Sequence, residues 1–444
     1  MSITITDSRL IAGFSRLGKQ EKLEIIAGLL NDPAKKEALL RSFFHEDATL
    51  QRKFDEFSEN TISNFYFPYG IAPNFLINGQ VYMVPMVIEE SSVVAAASKS
   101  AKFWSEHGGF HAEIVNNLKV GQVHFIWKGS RDVLYGIFPE LRSSLLQSTR
   151  HLTANMERRG GGIRDVELVD MTAEMPHYYQ LKATFDTVDS MGANFINSCL
   201  EEFARTLPEF LSGEGERESP DCQVIMSILS NYSPDCRVRC WVEAPLEAFA
   251  GMDDRLGAKG FVEKFMRAAR IAEIDIHRAA THNKGIFNGI DAVALATGND
   301  FRAIEAGGHA WASREGKYRS LTHAELNGDQ FRYTLELPMA LGTVGGLTRL
   351  HPLADLSLEL LGDPGAEELM MIAAAVGLAN NFSALRSLVT KGIQLGHMKM
   401  HLLNILNHYD ATDEEKVAAV EHFKTNKVSF SAVSSYLASY RALK

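Results

Sequence analysis

The stretch "RDVELVDMTAEMPHYYQLKATFDTV", residues 164–188, contains two alternating apolar segments separated by a short polar turn. Alternation of this kind is typical of strands with one buried face, so the stretch predicts two consecutive β-strands. A predicted strand, "QVHFIWKG", and a predicted helix, "FPELRSSLLQSTRHLTANMERR", precede the pair. A predicted helix, "MGANFINSCLEEFARTLPEFL", and a predicted strand, "CQVIMSILS", follow it. The order β-α-β-β-α-β is that of a ferredoxin-like domain.

The remaining sequence is mainly helical, which predicts an α+β protein with the ferredoxin-like domain inserted into a larger one. A chain of 444 residues is long enough for two or three domains. We predict a large domain over residues 1–110 and 231–378, the small domain over 111–230 and a C-terminal helical flap over 379–444. Asp189 or Ser190 is expected to be the N-cap of the second helix of the small domain.

Composition restricts the class of ligand. The formal net charge of −10 argues against a protein that binds nucleic acid through phosphate contacts, and an anionic small substrate would need a local basic pocket. The four cysteines form no C-x-x-C pair, which favours reduced thiols over zinc. No signal peptide is evident, and the longest apolar run, "LMMIAAAVGLA", is short for a membrane span. These features predict a soluble, cytoplasmic protein with neither nucleic-acid nor membrane partners.

Two adjacent carboxylates, Glu89 and Glu90, stand directly before the apolar stretch "SSVVAAASKSA". The simpler interpretation of Glu90 is a carboxylate stabilised by the dipole of the following helix. The functional interpretation is an acid whose pKa is raised by apolar surroundings, so that it donates a proton near neutral pH. The segment alone leaves both interpretations open.

The stretch "HRAATHNKGIFNGIDAVALATGND", residues 277–300, places Arg278, Lys284, Asn288 and Asp300 among glycines. Glycines allow a ligand to approach the backbone closely, and a lysine beside acids can stabilise a developing oxyanion. A polar helix surface explains the same residues equally well.

Two further segments carry candidate chemistry. "GIQLGHMKMH", residues 392–401, sets His397 and His401 one helical turn apart. Because no H-E-x-x-H glutamate accompanies them, a general acid is favoured over a metal site. "DSMGAN", residues 189–194, is predicted at a helix N-terminus, where backbone N–H groups favour an anion.

The motifs "ENTISNFYFPYG", "INGQVYMVPMVIEESSVVAAAS", "GGGIRD", "DSMGAN", "HRAATHNKGIFNGIDAVALATGND", "GTVGG" and "GIQLGHMKMH" follow one another along nearly the whole chain. In order and spacing they resemble the class II, bacterial-type HMG-CoA reductases. The resemblance implies reduction of hydroxymethylglutaryl-CoA (HMG-CoA) to mevalonate and coenzyme A, or the reverse reaction, with two NAD(P)H and no metal. It also implies a homodimer or higher oligomer with shared active sites.

The resemblance assigns roles to individual residues. The implied catalytic residues are Glu90, Lys284, Asp300 and His397. The implied substrate-binding residues are Ser92, Asn231, Arg278, Asn288 and His401, with Arg278 on the free carboxylate. The implied cofactor-binding residues are Asp189, Met191, Gly192 and Asn194. Departures from the family pattern are Ser91 for proline, Ser190 for alanine, Asn380 for glutamine and Leu395 for a basic residue.

Cofactor choice is predicted from the segment "LLQSTRHLTANM", residues 145–156, which has no carboxylate and contains Arg150 and His151. Since an arginine can accommodate a 2′-phosphate, the segment favours NADPH or dual use. Two alternatives to the main hypothesis stay open: a non-catalytic dinucleotide- or acyl-CoA-binding regulator, and a reductase of a different acyl-CoA.

Overall fold

A computed structural model of the chain describes residues 9–212, 221–253, 255–390, 402–424, 426 and 428–442. By internal contacts these residues form two compact units, one ending at Pro68 and one beginning at Tyr69. The first unit contains three helices: α1 (Lys19–Gly28), α2 (Pro33–Ser42) and α3 (Ala48–Glu56). The Asp47 side chain accepts hydrogen bonds from the first free N–H groups of α3, which fixes where that helix begins.

The second unit mixes strands and helices. Its strands are β1 (Tyr69–Ile77), β2 (Gln80–Val87), β3 (His111–Asn117), β4 (Lys119–Trp127), β5 (Gly162–Asp170), β6 (Tyr178–Asp186), β7 (Cys222–Leu229), β8 (Cys236–Pro245), β9 (Thr322–Asn327) and β10 (Gln330–Pro338). Its helices are α4 (Val93–Ser105), α5 (Arg131–Ser148), α6 (Arg150–Arg158), α7 (Ala193–Ser212), α8 (Gly257–Ile274), α9 (Ile276–Ala296), α10 (Phe301–Ala312), α11 (Pro352–Leu360), α12 (Ala366–Val389), α13 (Asp413–His422) and α14 (Phe430–Ala442).

The four-stranded sheet of the predicted small domain has the strand order β5-β6-β4-β7, and every neighbouring pair is antiparallel. This is the predicted ferredoxin-like order, and the predicted α+β class is confirmed. Helix α7 packs closely on β4 at Gly121, where a Cβ atom would lie 2.6 Å from Leu200.

The other four-stranded sheet has the order β3-β8-β10-β9. A small domain that begins at residue 111 would include β3. In the structure, however, β3 pairs with β8 and so belongs to this second sheet. The chain passes between the sheets at Leu118, whose N–H donates to the carbonyl of Asp235. We therefore propose that the small domain begins at residue 118.

Helix α12 lies in the centre of the large core and is buried along nearly its whole length. By length and composition it is the one helix of the described ranges that could cross a membrane, but 83% of its most apolar window is buried inside the protein. Burial of this kind is typical of a core helix. The predicted flap boundary at 378 falls inside α12, and we propose that the flap begins after Val389.

The C-terminal helices form a separate apolar cluster with residues 402–406, containing Leu402, Ile405, Ala419, Phe423 and Val433. Helix α13 begins with a reciprocal capping box between Thr412 and Glu415, as the sequence pattern indicates.

Candidate active site

Glu90 lies in the turn that joins β2 to α4. The N-cap of α4 is Ser92, which has a backbone φ of 76°, a conformation that non-glycine residues seldom adopt. Strain of this kind is found at sites where a side chain must be aimed, and Ser92 lines the same cleft as Glu90. The turn therefore sets the direction of both side chains.

The Glu90 carboxylate forms an ion pair with the Lys284 ammonium of α9. The Asn288 amide, one turn further along α9, donates to the same carboxylate oxygen at 3.3 Å. The structure thus brings together three of the predicted residues. The apolar enclosure expected for Glu90 is not provided by these contacts, since its side chain is 38% exposed.

A cleft of about 420 Å³ opens beside this pair, between α4, α9 and α12. Of the charged side chains among its described lining residues, four are cationic and one, Glu90, is a carboxylate. The cations are Lys99, Arg278, Lys284 and Arg386. In a chain with a net charge of −10, this is the local basic pocket that an anionic substrate requires.

Close packing of α9 against α12 fixes the positions of the cleft residues along the two helices. A Cβ atom at Gly289 would lie 2.7 Å from the Asn380 amide nitrogen and from the Val376 carbonyl oxygen, so only glycine allows this approach.

Burial lowers the pKa of Arg278, and no carboxylate among the described residues pairs with it. A half-buried guanidinium without an acid partner is suited to a carboxylate ligand.

Asp300 is not brought to Glu90 and Lys284 within this chain. It is the N-cap of α10, and its carboxylate accepts two bonds from Arg302, at 2.9 and 3.1 Å. Burial by itself would raise the pKa of Asp300, but the hydrogen bonds from Arg302 and from the Ala303 N–H outweigh it, so the pKa is lowered.

The separation follows from helix geometry. The N–H of Asn299 donates to the carbonyl of Ala294, which holds Asn299 level with that residue. Ala294 lies ten residues beyond Lys284, and at a rise of 1.5 Å per residue this is about 15 Å along α9. Two side chains cannot span that distance, so Asp300 and Lys284 of one chain do not meet.

The predicted cofactor segment, residues 189–194, packs on the loop that contains "GTVGG". The backbone carbonyl of Asp189 accepts from the Thr343 N–H at 2.8 Å, and Ser190 pairs with Val344. The prediction that Asp189 or Ser190 caps α7 is wrong, because α7 begins at Ala193. The Asp189 carboxylate instead accepts from the N–H of Ala366, in the first turn of α12, at 3.0 Å.

The predicted substrate residue Asn231 lies beside this segment and not in the cleft. With Met191 and Ala303 it lines a cavity of about 20 Å³, and Ala303 is in the first turn of α10 beside Asp300. The predicted residues therefore form two groups. We name Glu90, Ser92, Arg278, Lys284 and Asn288 the cleft half, and residues 189–194 with Asn231 and Asp300 the loop half.

Two buried features were missed by sequence reasoning. Lys119, only 3% exposed, lies under the loop half and donates to the Thr187 hydroxyl at 2.7 Å, and Thr187 in turn donates to the Ser190 carbonyl. On α9, burial and the neighbouring Glu305 raise the pKa of Asp291. Asp291 follows Lys284 by seven residues, a spacing that puts both on one helix face and could have identified it.

His397 and His401 lie outside the described residues. Among the residues that are described, there is no group of three or more His, Cys, Asp or Glu side chains that could hold a metal ion.

The cleft half has the groups needed for carbonyl chemistry on an anionic substrate: an ammonium and a carboxyl group in contact, with further cations around them. This arrangement is the one expected of an enzyme that acts on an anionic carbonyl compound.

Comparison with known proteins identifies the family. The family model for hydroxymethylglutaryl-coenzyme A reductase matches residues 19–402. The 3-hydroxy-3-methylglutaryl-coenzyme A reductase of Archaeoglobus fulgidus is 38% identical over 93% of this chain and 90% of its own length. A probable enzyme of the same name from Borreliella burgdorferi is 34% identical over 86% of this chain and 85% of its own.

Among solved structures, the class II 3-hydroxy-3-methylglutaryl-CoA reductase of Streptococcus pneumoniae bound to NADPH is similar, with a TM-score of 0.71 and 38% identity. That match covers 85% of this chain and 99% of the S. pneumoniae chain. The chain belongs to the hydroxymethylglutaryl-coenzyme A reductase family, in its class II, bacterial-type branch.

Proposed function

We propose that the chain reduces HMG-CoA to mevalonate and coenzyme A with two NAD(P)H, or catalyses the reverse reaction. The observation that carries the proposal is the contact of Lys284 with Glu90 at the mouth of a cationic cleft. Each of the two reduction steps creates an alkoxide on the same oxygen. Lys284 stabilises that charge, a contact worth about 3 kcal/mol, and Glu90 supplies the proton.

Arg278 is proposed to bind the free carboxylate of the acyl group, and Ser92 and Asn288 its polar oxygens. Arg278 lies six residues before Lys284, which is about 9 Å along α9. That spacing separates the charged end of the substrate from its reacting carbonyl. An uncharged acyl group such as acetyl would leave the half-buried Arg278 without a partner, which disfavours a reductase of a different acyl-CoA.

The loop half is proposed to bind the dinucleotide. Bound nicotinamide supplies the hydride. The N–H groups at the start of α7 favour an anion, and Gly192 fits there because a Cβ would lie 2.4 Å from Thr187. The NADPH bound to the S. pneumoniae enzyme supports NADPH here as well.

Cofactor specificity is proposed to favour NADPH, through Arg150 and His151, both exposed at the start of α6. The folded chain also brings a carboxylate within electrostatic reach of His151, that of Glu202 on α7. Glu202 forms an ion pair with Arg205, which supports the proposal because the negative charge of Glu202 is already paired. Initial rates with NADH and NADPH at subsaturating concentrations measure this preference.

We further propose that each complete site uses two copies of the chain. Since Asp300 and Lys284 do not meet within one copy, a second copy is proposed to supply the loop half that meets each cleft half. A homodimer is the smallest assembly that does so. His397 is assigned by sequence resemblance to protonate the coenzyme A thiolate. The enzyme is proposed to be cytoplasmic.

The test is the turnover of Glu90→Gln, with Glu89→Gln as the matched control. Both changes remove one carboxylate from the same turn, but only Glu90 lines the cleft. NADPH oxidation with HMG-CoA should fall by about a hundredfold or more in Glu90→Gln, the usual effect of losing a general acid, and stay unchanged in Glu89→Gln. If Glu90→Gln keeps most of its turnover, Glu90 is only a residue at the start of a helix. If the unmodified protein oxidises no NAD(P)H with this substrate, the proposed function is wrong, and turnover with another acyl-CoA then separates a reductase of a different acyl-CoA from the regulator alternative.

A further inference from the structure

Lys119, the first residue of β4, is a buried ammonium group that the proposed chemistry does not use. It is 3% exposed and donates to the Thr187 hydroxyl at 2.7 Å and to the Asn117 amide oxygen at 3.3 Å. Among the described residues no carboxylate forms an ion pair with it. Asp186 is within electrostatic reach but is paired with Arg164. Because burying a cation without an anionic partner costs free energy, the stability of the fold alone does not account for Lys119.

The residues that follow β6 form a strained turn at the start of the cofactor segment. Val188 has a backbone φ of 51°, which is rare for a β-branched residue, and Gly192 has a φ of 89°. Two hydrogen bonds close the turn: the Ser190 N–H donates to the Thr187 carbonyl at 3.0 Å, and the Thr187 hydroxyl donates to the Ser190 carbonyl at 2.6 Å. Strain of this kind persists only where the surrounding contacts hold it, so the turn depends on Thr187.

Lys119 determines the direction of the Thr187 hydroxyl group. An ammonium group has three donors and no acceptor, so the Thr187 oxygen must accept from Lys119. The single hydroxyl proton is then directed to the Ser190 carbonyl. A hydrogen bond from a charged donor is also stronger than one from a neutral donor. Lys119 therefore acts on the turn through Thr187.

We propose that Lys119 is a positioning residue for the dinucleotide, which holds the turn of residues 187–192 in the conformation that binds the cofactor. The inference rests on the proposed function, in which residues 189–194 bind the dinucleotide. Since Lys119 is almost fully buried, its effect passes through the hydrogen bond to Thr187 and not through contact with the cofactor.

The test is the Kd for NADPH, followed by the fluorescence of the reduced nicotinamide, together with urea unfolding of each variant. Lys119→Met removes the donor and should raise the Kd about fivefold to tenfold, as expected for a lost hydrogen bond. The free energy of unfolding should stay the same or rise, because a buried cation is removed. Lys119→Gln keeps a donor and should keep the Kd near that of the unmodified protein. The matched control, Lys182→Met, removes a partly exposed cation from the same sheet and should leave the Kd unchanged.

Thr187→Val tests the route by which Lys119 acts, since it removes the hydroxyl and keeps the branched shape of the side chain. It should raise the Kd as much as Lys119→Met does. The double variant should raise the Kd no further, because both changes break the same chain of hydrogen bonds. If Lys119→Met does not fold, the Kd of Thr187→Val compared with that of Lys182→Met decides the question.

An unchanged Kd in Lys119→Met would overturn the proposal, and a lower free energy of unfolding in the same variant would make Lys119 a structural residue. An equal rise in Lys119→Gln, or additive rises in the double variant, would also overturn it, because the effect would then not pass through the bond to Thr187. Failure of the proposed function is a different result, since the unmodified protein would then bind no NADPH, or bind it without oxidising it when HMG-CoA is present.

Discussion

Two regions of the chain carry the predicted site residues, and they are held in different ways. The cleft half is built from side chains on three packed helices, and its central pair, Lys284 and Glu90, is in direct contact. The loop half depends on backbone hydrogen bonds between two loops and on capping contacts, such as that of Asp189 with Ala366. In the cleft half, the reacting groups are therefore already in contact within one chain. In the loop half, the Asp300 carboxylate is paired with Arg302 instead of with Lys284.

Within one chain the two groups of predicted residues stay apart, which supports the proposal that a complete site needs two copies of the chain. Helix α9 connects the halves and also keeps them apart, since Lys284 lies in its first half and Asp300 follows its end. Three predictions, in order of expected effect, test this comparison.

The largest effect is expected from mixing variants. Glu90→Gln and Asp300→Asn should each lose activity by about a hundredfold or more when alone. Co-expressed, they should recover about a quarter of the unmodified activity, because half of the dimers are mixed and each mixed dimer has one intact site. The measurement is NADPH oxidation by the purified mixture.

A matched control uses two variants of the same half. Glu90→Gln mixed with Lys284→Ala should recover nothing, since every mixed site then carries one of the two changes. Equal recovery in both mixtures, or recovery in neither, would contradict the division into halves.

The second prediction concerns His397, assigned from the sequence to the coenzyme A thiolate. His397→Gln should slow reduction of HMG-CoA by about a hundredfold and leave reduction of mevaldehyde much less affected, because mevaldehyde releases no thiolate. Lys284→Ala should slow both reactions, since both form an alkoxide. Rates with the two substrates give the measurement, and an equal loss on both would assign His397 to closure or to the oxygen.

The smallest effect is expected in the loop half, at Asp189. Because its carboxylate caps α12, Asp189→Ala should lower the free energy of unfolding by about 1 kcal/mol and raise KM for NADPH. Asp189→Asn should restore both, since an amide oxygen also accepts the Ala366 N–H. Urea unfolding and NADPH kinetics on the two variants provide the test. If Asn loses as much cofactor affinity as Ala, the carboxylate contacts the dinucleotide directly.

Much of the molecule was predictable because its signals are local. The alternation in residues 164–188 predicted the strand pair β5 and β6, and the pattern at Thr412 and Glu415 indicates the capping box that begins α13. Lys284 and Asn288 are one turn apart on a helix, so their common direction was also determined by the sequence. Motif order along the chain was enough to predict the family.

Tertiary structure alone decided how distant segments pair. The place of β3 in the sheet β3-β8-β10-β9 depends on a partner, β8, more than a hundred residues away. The same holds for Asp189, which looks like a cap for the next helix but binds the N-terminus of α12. No local sequence pattern identified Lys119, because its burial depends on segments that are distant in the sequence and pack together only in the folded chain. Sequence patterns encode periodicity and capping, which act over a few residues, whereas burial, charge grouping and the separation of the two halves depend on which surfaces the folded helices bring together.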